Sequence, residues 1–301
     1  MTDDRLFIFG YGNSSRAVNE RIGSRFAAVC GTTRSADKAE RIKADSVTPY
    51  IFDGSEPGAG IDEELARATH VLISIPPDAD GDPVLRQHGA ALKASKSLKW
   101  VCYLSTIGVY GDHEGALIDE TAECRPVSAR SKRRVSAEAE WMALGEEAGV
   151  PVAVMRLAGI YGPGHNVMTR LEKGTARRLV KPGQVFNRIH LADIAAMVDG
   201  ASSRLLGGIY NGADDEAAPP QDVLVYGAEL MGIAPPPEEP FDEAELTPMA
   251  RTFYGETKIV SNEKAKSELG WVPVYPSYRE GLAAMWQDGS WNAKNTSDKK
   301  R

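Results

Sequence analysis

A glycine-containing loop near the amino terminus is the part of this sequence whose residue types and spacing point most directly to chemistry. It follows an apolar run that ends at Phe9. Gly10 permits a tight turn, Gly12 lets the backbone approach a pyrophosphate, and Ser15 stands where a small residue packs a helix against a strand. The following helix offers free N–H groups and the positive end of its dipole to phosphates. The alternative is a plain strand-to-helix turn. The predicted dinucleotide-binding loop comprises Gly10, Tyr11, Gly12, Asn13, Ser14 and Ser15.

The second predicted strand closes with Thr33 and Arg34, which bear on the choice of cofactor. In NAD sites an Asp or Glu about 20 residues past the loop holds the ribose 2′-hydroxyl. This sequence has no acid at that place. A guanidinium there forms charge-assisted bonds with a 2′-phosphate. Thr33 and Arg34 therefore predict NADP, with NAD as the alternative, unless Arg34 only begins a solvated helix. A methyltransferase that uses S-adenosylmethionine is disfavoured, because it would normally have an acid here.

Composition excludes several classes of protein. The chain has 301 residues, 42% hydrophobic and 26% charged, which is ordinary for a globular protein. Its 35 basic and 42 acidic residues give a net charge of −7, which argues against a general nucleic-acid binder. No apolar run approaches the roughly 18 residues that span a bilayer. The acidic start, Met1 to Arg5, does not resemble a signal peptide. We expect a small-molecule substrate and neither a nucleic-acid nor a membrane partner.

Cysteine and histidine usage indicates the compartment and the absence of a metal. The sequence has an odd number of widely spaced cysteines, namely Cys30, Cys102 and Cys124. This pattern does not indicate a disulfide framework. This pattern favours a reducing compartment, and we expect a cytoplasmic protein. The five histidines have no metal-ligand spacing and no Cys-x-x-Cys motif occurs, so no metal is expected.

The elements that must position these residues alternate between strands and helices. Strand-length apolar runs lie at 6–9, 26–31, 47–52, 69–75, 100–105 and 152–157. Helical patterns lie at 15–23, 62–68, 82–94, 131–148 and 221–231. Several of the runs are apolar on both faces, which is typical of a parallel sheet covered by helices on each side. The alternation predicts an α/β fold with a doubly wound parallel sheet, a Rossmann fold.

The pattern also predicts how the chain is divided. Residues 1–160 are expected to form a dinucleotide-binding core, completed by about 187–213. A small C-terminal substrate-binding region is expected from 161–186 and 214–290. Residues 291–301 are polar and basic and are expected to be a disordered tail.

Four later motifs carry a family resemblance. They are Ser105-Thr106-Ile107-Gly108-Val109-Tyr110-Gly111-Asp112, Arg156-Leu157-Ala158-Gly159-Ile160-Tyr161-Gly162-Pro163-Gly164, Asn187-Arg188-Ile189-His190-Leu191-Ala192-Asp193-Ile194 and Ser267-Glu268-Leu269-Gly270-Trp271-Val272-Pro273. In this order they resemble signatures of the extended or atypical short-chain dehydrogenases/reductases, the NAD-dependent epimerase/dehydratase-like group. The resemblance extends from residue 5 to about 285. It implies an NADP(H)-binding oxidoreductase, or an epimerase/dehydratase-like protein, that acts on a small polar or sugar-like carbonyl or alcohol.

The resemblance implies roles for residues at further strand ends. In this family a Ser or Thr after the fifth strand hydrogen-bonds the substrate oxygen; by position it is Thr106, with Ser105 beside it. A hydroxyl suits this task because it donates to an alkoxide and accepts from an alcohol. Alternatively, both hydroxyls only satisfy backbone groups at the strand end. The predicted cofactor site also includes Ser105, Asp53 after the third run, and Ile75, Pro76 and Pro77, which the family brings near the riboses.

The sequence departs from the family at its acid/base pair, Tyr-x-x-x-Lys. Residues 126–138 contain no tyrosine. Alignment on Lys132 puts Ser128 at the tyrosine position. Alignment on Glu138, which we prefer, puts Arg130 at the tyrosine position and Arg134 at the lysine position. Arg134 could hold ribose hydroxyls, but a guanidinium, with a pKa above roughly 12, is a poor proton donor. The alternative for this basic cluster is a solvated turn.

Tyr110 and Tyr161 are the candidates to replace the missing tyrosine. Both lie in motif loops after strands, where open α/β sheets place their sites, although both positions also suit packing. The predicted catalytic set is therefore Thr106, Tyr110, Tyr161 and Arg134. A non-catalytic dinucleotide-binding or redox-sensing module, which kept the pocket and lost the tyrosine, is the alternative function.

A homodimer is also expected from the resemblance. Extended members of the family often pair through the helices after the fourth and fifth strands, here about 83–97 and 131–148. The second of these helices carries an apolar stripe, whose alternative role is packing on its own sheet: Val135, Trp141, Met142 and Leu144.

Overall fold

The strand-length apolar runs form one parallel sheet. The computed structural model describes residues 3–292. In this part of the chain the sheet has seven strands: β1 (Arg5–Phe9), β2 (Ala28–Thr33), β3 (Thr48–Ile51), β4 (His70–Ile73), β5 (Trp100–Thr106), β6 (Val152–Leu157) and β7 (Gly208–Gly212). Their order is β7-β6-β5-β4-β1-β2-β3, and all neighbours are parallel. The predicted doubly wound α/β fold is confirmed.

The helices connect the strands, and several of them begin at local capping signals. They are α1 (Asn13–Ile22), α2 (Ala36–Lys43), α3 (Ile61–Leu65), α4 (Pro83–Ala94), α5 (Ala129–Ala148), α6 (Val167–Glu172), α7 (Leu191–Ser203), α8 (Pro220–Leu230), α9 (Pro248–Tyr254), α10 (Glu263–Leu269) and α11 (Tyr278–Asp288). Before α4, the Asp82 carboxylate accepts hydrogen bonds from the N–H groups of Val84 and Leu85, and Pro83 occupies the first helical position. Helix α5 begins after Ser128, whose hydroxyl accepts from the Ser131 N–H.

Helices cover both faces of the sheet, so its strands are buried on each side. Leu6 and Ile8 of β1 pack into one core, and Phe7 and Phe9 pack into the other. Helices α1 and α7 cover the first face, and α4 and α5 cover the second.

The apolar stripe on α5 packs largely on its own sheet. Trp141 and Leu144 are buried in the core beneath α4 and α5, and Val135 and Met142 are half-buried. The stripe therefore does not supply a free dimer surface, and the homodimer stays a prediction.

Outside the main sheet, the chain builds a smaller region from short strands and helices. Its paired strands are Leu117–Ile118 with Ile259–Val260, Gly159–Tyr161 with Arg188–His190, and Arg178–Val180 with Glu238–Pro240. Met168, Leu224 and Tyr278 lie in its apolar core. The division between core and substrate-binding region stays a prediction.

The beginning of the expected tail has defined contacts. The Trp291 carbonyl accepts hydrogen bonds from Gly164 N at 3.2 Å and from Asn166 Nδ2 at 2.9 Å. The prediction that disorder begins at residue 291 is therefore wrong for Trp291. Residues 293–301, the rest of the expected tail, lie outside the described residues.

Further expectations concerned membranes, metals and cysteines. Between residues 3 and 292, no helix combines the length and the apolar character needed to cross a membrane. The same residues contain no group of three or more His, Cys, Asp or Glu side chains arranged to hold a metal ion. Cys30 and Cys102 are buried, Cys124 is half-buried, and none of the three forms a disulfide.

Candidate active site

The predicted cofactor residues meet at one edge of the sheet. The strand order reverses between β1 and β4, and open α/β sheets bind ligands in the crevice beyond the carboxyl ends of strands at such a point. The glycine loop follows β1, Arg34 follows β2, and Thr106 ends β5. Because parallel strands end at the same edge, the topology brings these distant parts of the sequence together.

Gly10 occupies a place that only glycine fits. Its φ is +84°, and a Cβ at this residue would lie 2.9 Å from Cγ1 of Ile75. The Gly10 N–H donates to Thr32 Oγ1 at 2.8 Å, and the buried Ser15 hydroxyl donates to the Gly10 carbonyl at 2.8 Å. These contacts hold the loop between β1 and α1 in shape without a ligand.

Gly12 leaves an open approach to the amino end of α1. It caps this helix without a side-chain hydrogen bond, and the first turn carries no acidic residue. A Cβ on Gly12 would have no described atom within 4 Å. Asn13 and Ser14 begin the helix, so their N–H groups face this opening. The arrangement fits a pyrophosphate, which needs close backbone approach and N–H donors.

Tyr11 has a structural role in the loop. Its N–H donates to the Thr32 carbonyl at 2.9 Å, and its hydroxyl bonds to Asp45 Oδ2 at 3.2 Å and Asn19 Nδ2 at 3.1 Å. Burial raises the pKa of this hydroxyl. The side chain therefore fastens the loop to the segment after α2, and the backbone N–H fastens it to β2.

The residues at the ends of β2 and β3 differ in exposure. Thr33 is buried, whereas Arg34 is exposed and has no ion pair with any residue between 3 and 292. Asp53 is also exposed and accepts hydrogen bonds from Ser55 N and Oγ at 2.9 and 2.6 Å, which lower its pKa. Arg34 and Asp53 both remain available to a ligand.

The chain after β4 lies directly against the glycine loop. Ile75 is half-buried beside Gly10, Pro76 is exposed and Pro77 is buried. Ile75 and Pro76 therefore border the crevice, and Pro77 turns into the protein.

Ser105 is held inside the protein, in contrast to the prediction that it contacts the cofactor. Its hydroxyl donates to Glu138 Oε1 at 2.5 Å, and Glu138 Oε2 accepts from Arg156 Nε and Nη2 at 3.1 and 2.8 Å. All three residues are at most 5% exposed. Ser105 therefore joins a buried network that ties α5 to β5 and β6. Sequence analysis missed this network, because Glu138 and Arg156 were assigned only to motifs.

Thr106 keeps its hydroxyl at the edge of the sheet. The residue is half-buried, and its Oγ1 accepts a hydrogen bond from the Gly108 N–H at 3.1 Å. Its own O–H proton has no acceptor among the described residues. Thr106 can therefore donate to a substrate oxygen, which is the role that the resemblance implied.

Arg134 points towards β5, whereas Arg130 and Lys132 are exposed. Its Nη1 donates to the Leu104 carbonyl at 2.7 Å and lies 3.1 Å from the Tyr103 hydroxyl. Its buried Nε has no partner in the described part of the chain. This orientation supports the alignment on Glu138. Arg134 fastens α5 to β5, and its predicted contact with a ribose stays a prediction.

Tyr110 and Tyr161 are both buried, and their hydroxyls are bonded within the protein. Tyr110 is 0% exposed, its hydroxyl donates to Asn211 Oδ1 at 2.8 Å, and burial raises its pKa to about 12. Tyr161 is 7% exposed, its hydroxyl donates to the Ser277 carbonyl at 3.3 Å, and burial raises its pKa. Because both hydroxyls are buried and donate to protein acceptors, the structure gives no support to the prediction that either one donates a proton to substrate.

Comparisons with known proteins agree with this geometry. A model of the NAD-dependent epimerase/dehydratase family matches residues 89–204. A conserved protein of unknown function from Silicibacter pomeroyi is 44% identical over 95% of this chain and 99% of its own, with a TM-score of 0.86. The dTDP-glucose 4,6-dehydratase of Bacillus anthracis, solved in complex with NAD, has the same fold, with a TM-score of 0.78 at 16% identity over 98% of both chains. Residues 89–204 therefore resemble the NAD-dependent epimerase/dehydratase family, and the chain shares the fold of a solved dehydratase and a solved epimerase.

One curated relative of this chain matches only in part. A 3-diazoavenalumate denitrifying reductase from a Streptomyces species is 28% identical over 161 residues, which are 49% of this chain and 51% of the reductase. The chain therefore spans about half the length of that relative.

Asp214 is a buried carboxyl that sequence analysis did not select. It lies two residues after β7 and is 6% exposed, and neither of its carboxylate oxygens has a hydrogen-bond partner among residues 3–292. Burial raises its pKa to about 8, although the charge of Arg188 opposes this shift. No local sequence pattern marks such a residue, because its burial results from packing of distant segments.

We expect Asp214 to make the stability of this protein fall as pH rises. Between the ordinary pKa of 3.8 and about 8, the carboxyl is protonated in the folded state and ionised in the unfolded state. The unfolded state then binds fewer protons, so the Asp214 contribution to the free energy of unfolding decreases by up to about 1.4 kcal/mol per pH unit. Urea denaturation of Asp214→Asn from pH 5 to 7.5 should show a smaller decrease than wild type. Asp242→Asn, at an exposed carboxylate distant in sequence, is the control; equal slopes for wild type and Asp214→Asn would contradict the prediction.

Proposed function

We propose that this protein binds NADP(H) and slowly reduces a small polar or sugar-like carbonyl compound, or oxidises the corresponding alcohol. The observation that carries the proposal is the Thr106 hydroxyl, whose proton has no acceptor in the described structure. It lies at the same sheet edge as the open amino end of α1. A donor for a substrate oxygen and a place for a pyrophosphate thus share one crevice.

The residues around the crevice fit a nicotinamide dinucleotide. The N–H groups of Asn13 and Ser14 beside Gly12 would hold the pyrophosphate, and Arg34 would meet a 2′-phosphate. A bound cofactor would supply or accept the hydride. The NAD-complexed dehydratase of B. anthracis supports a nicotinamide cofactor through its shared fold. Arg34 in place of an acid supports the phosphorylated form.

The predicted loss of the family's tyrosine explains why turnover is expected to be slow. Tyr110 and Tyr161 are buried, and Arg134 carries a guanidinium that does not release its proton near neutral pH. General acid catalysis typically contributes about 10²- to 10⁴-fold in rate. Orientation of the substrate by Thr106 beside a hydride donor still lowers the barrier by several kcal/mol.

The test of the enzymatic function is NADPH oxidation with a library of carbonyl compounds. On a hit, Thr106→Ala should lower kcat by about 10²- to 10³-fold, because it removes a donor to the developing alkoxide. Ser136→Ala, on the exposed face of α5, is the control and should match wild type. The second candidate function is a non-catalytic dinucleotide-binding or redox-sensing module, which the burial of both tyrosines favours. NADPH binding without turnover of any compound would support this second candidate.

We expect Arg34→Ala to remove most of the preference for NADP(H) over NAD(H). A charge-assisted contact of this kind contributes about 1.5–3 kcal/mol, roughly 10- to 150-fold in affinity. Calorimetry with all four nucleotides measures it. Arg41→Ala, which removes an exposed cation from the same α2 helix, should keep the preference. Equal affinity of the wild-type protein for NADPH and NADH would overturn the NADP proposal.

Two further properties are proposed with this function. The absence of any disulfide among the three cysteines supports a reducing compartment, and we propose the cytoplasm. A homodimer through α4 and α5 remains part of the proposal, together with a small-molecule substrate.

A further inference from the structure

A second hydroxyl lies beside Thr106. Ser131, in the first turn of α5, is only 8% exposed. A Cβ built on Gly108 would lie 3.3 Å from Ser131 Oγ and 3.4 Å from Thr106 Oγ1. The two hydroxyls, one at the end of β5 and one on α5, therefore flank the same small space.

The hydrogen bonds leave the protons of both hydroxyls uncommitted. Ser128 Oγ donates to Ser131 Oγ at 2.9 Å, and Ser128 Oγ itself accepts from the Ser131 N–H at 3.0 Å. The Ser131 O–H proton consequently points elsewhere and has no acceptor in the described part of the chain. Thr106 Oγ1 likewise only accepts, from Gly108. Two O–H donors thus converge where one oxygen atom of a ligand would receive both.

Ser128 connects this pair with solvent. It is half-buried, and its neighbours Val127 and Ala129 are exposed, with Val127 62% exposed. A row of three groups therefore leads inward from solvent through Ser128 to Ser131 and on to the space that Thr106 borders.

We propose that Ser131 is a second substrate-contacting hydroxyl and that Ser128 resupplies its proton from solvent. This inference rests on the proposed reductase function. When hydride from the bound cofactor adds to the carbonyl carbon, the electron pair of the C=O π bond moves to oxygen. That alkoxide takes the Ser131 proton, Ser131 takes the Ser128 proton, and Ser128 takes one from water. One hydride and one solvent proton are consumed, and every serine ends in its starting state.

This relay answers the weakness of a serine as an acid. A lone serine would have to become an alkoxide, whereas here each oxygen gains a proton as it loses one. The hydroxyls therefore transmit a solvent proton, and Thr106 stabilises the developing charge by a hydrogen bond.

The test compares variants of the full-length protein on a hit carbonyl compound. The two test variants are Ser131→Ala, which removes the hydroxyl, and Gly108→Ala, which adds a methyl group beside both hydroxyls. Ser131→Thr restores a hydroxyl, and Ser136→Ala is the control on the same helix. Ser128→Asp keeps an acceptor that caps α5 but removes the hydroxyl proton. Each variant is assayed for kcat and KM against pH, for the solvent deuterium isotope effect, for NADPH affinity by calorimetry and for thermal unfolding.

We expect Ser131→Ala and Gly108→Ala to lower kcat by about 10²-fold, with KM, NADPH affinity and the unfolding temperature close to wild type. The solvent isotope effect of wild type should change in Ser131→Ala and in Ser128→Asp, and Ser131→Thr should recover part of kcat. If the wild-type protein turns over substrate and Ser131→Ala has the same kcat and isotope effect, the relay is overturned. The proposed function then remains intact. A wild type that binds NADPH without any turnover would overturn both.

Discussion

Gly12→Val is expected to abolish measurable NADP(H) binding and to leave the protein folded. The two methyl groups would fill the space through which a pyrophosphate must approach the N–H groups of α1, so affinity should fall by at least about 100-fold. The fold should tolerate valine, because Gly12 has φ −112° and no described atom lies within 4 Å of its Cβ position. Calorimetry with NADPH measures the binding, and thermal unfolding measures the fold.

Gly10→Ala is the contrasting variant. At Gly10 the positive φ and the 2.9 Å approach to Ile75 Cγ1 should destabilise the protein even without cofactor. A lowered unfolding temperature in Gly10→Ala, together with a near-wild-type value in Gly12→Val, separates the shape of the loop from its function. Wild-type NADPH affinity in Gly12→Val would mean that the loop is only a turn.

Glu138→Ala is expected to destabilise the protein by about 3–5 kcal/mol, because it leaves the Arg156 charge buried without its partner. Arg156 and Glu138 have side chains 6% and 5% exposed. The Arg156 guanidinium also lies 4.7 Å from the centre of the Tyr110 ring, and Ser105 would lose its acceptor. Urea denaturation at pH 7 measures the free energy of unfolding.

The controls for this prediction are an exposed pair and a double variant. Glu123→Ala breaks the ion pair between Glu123 and Arg125, whose side chains are 72% and 56% exposed, respectively. This variant should lower the free energy of unfolding by less than about 1 kcal/mol. Glu138→Leu combined with Arg156→Met should recover much of the loss, since an apolar pair needs no desolvated charges. A loss below about 1 kcal/mol in Glu138→Ala would show that the network does not stabilise this fold.

Local chemistry explains why the loop and most of the elements could be predicted from sequence. A strand end, two glycines and a helix start lie within ten residues of one another, and each is specified by its own residue types. The apolar runs of β1, β5 and β6 likewise match the observed strands within one residue at each end. Burial on both faces of these strands requires helices on both sides, and the doubly wound fold follows.

Strand β7 was not among the predicted strands because its pattern is not apolar. Its two apolar residues, Ile209 and Tyr210, are preceded by Gly208 and followed by Asn211 and Gly212. The strand lies at the edge of the sheet and pairs only with β6 in the described structure, so its position depends on a partner 55 residues earlier in the chain. A helical or apolar periodicity within the segment could not indicate this pairing.

The sequence by itself determined the parallel sheet and the glycine loop after β1, whereas only the tertiary structure decided which polar side chains lie at the edge of the sheet. Ser105 and Thr106 are adjacent in one motif, yet successive side chains of a strand point to opposite faces. Ser105 therefore meets Glu138 in the interior, and Thr106 remains at the edge. Ser131 reaches the same place only because α5 packs over Gly108. The direction of each side chain depends on how elements distant in sequence pack together. Residue types and spacing alone do not specify this packing.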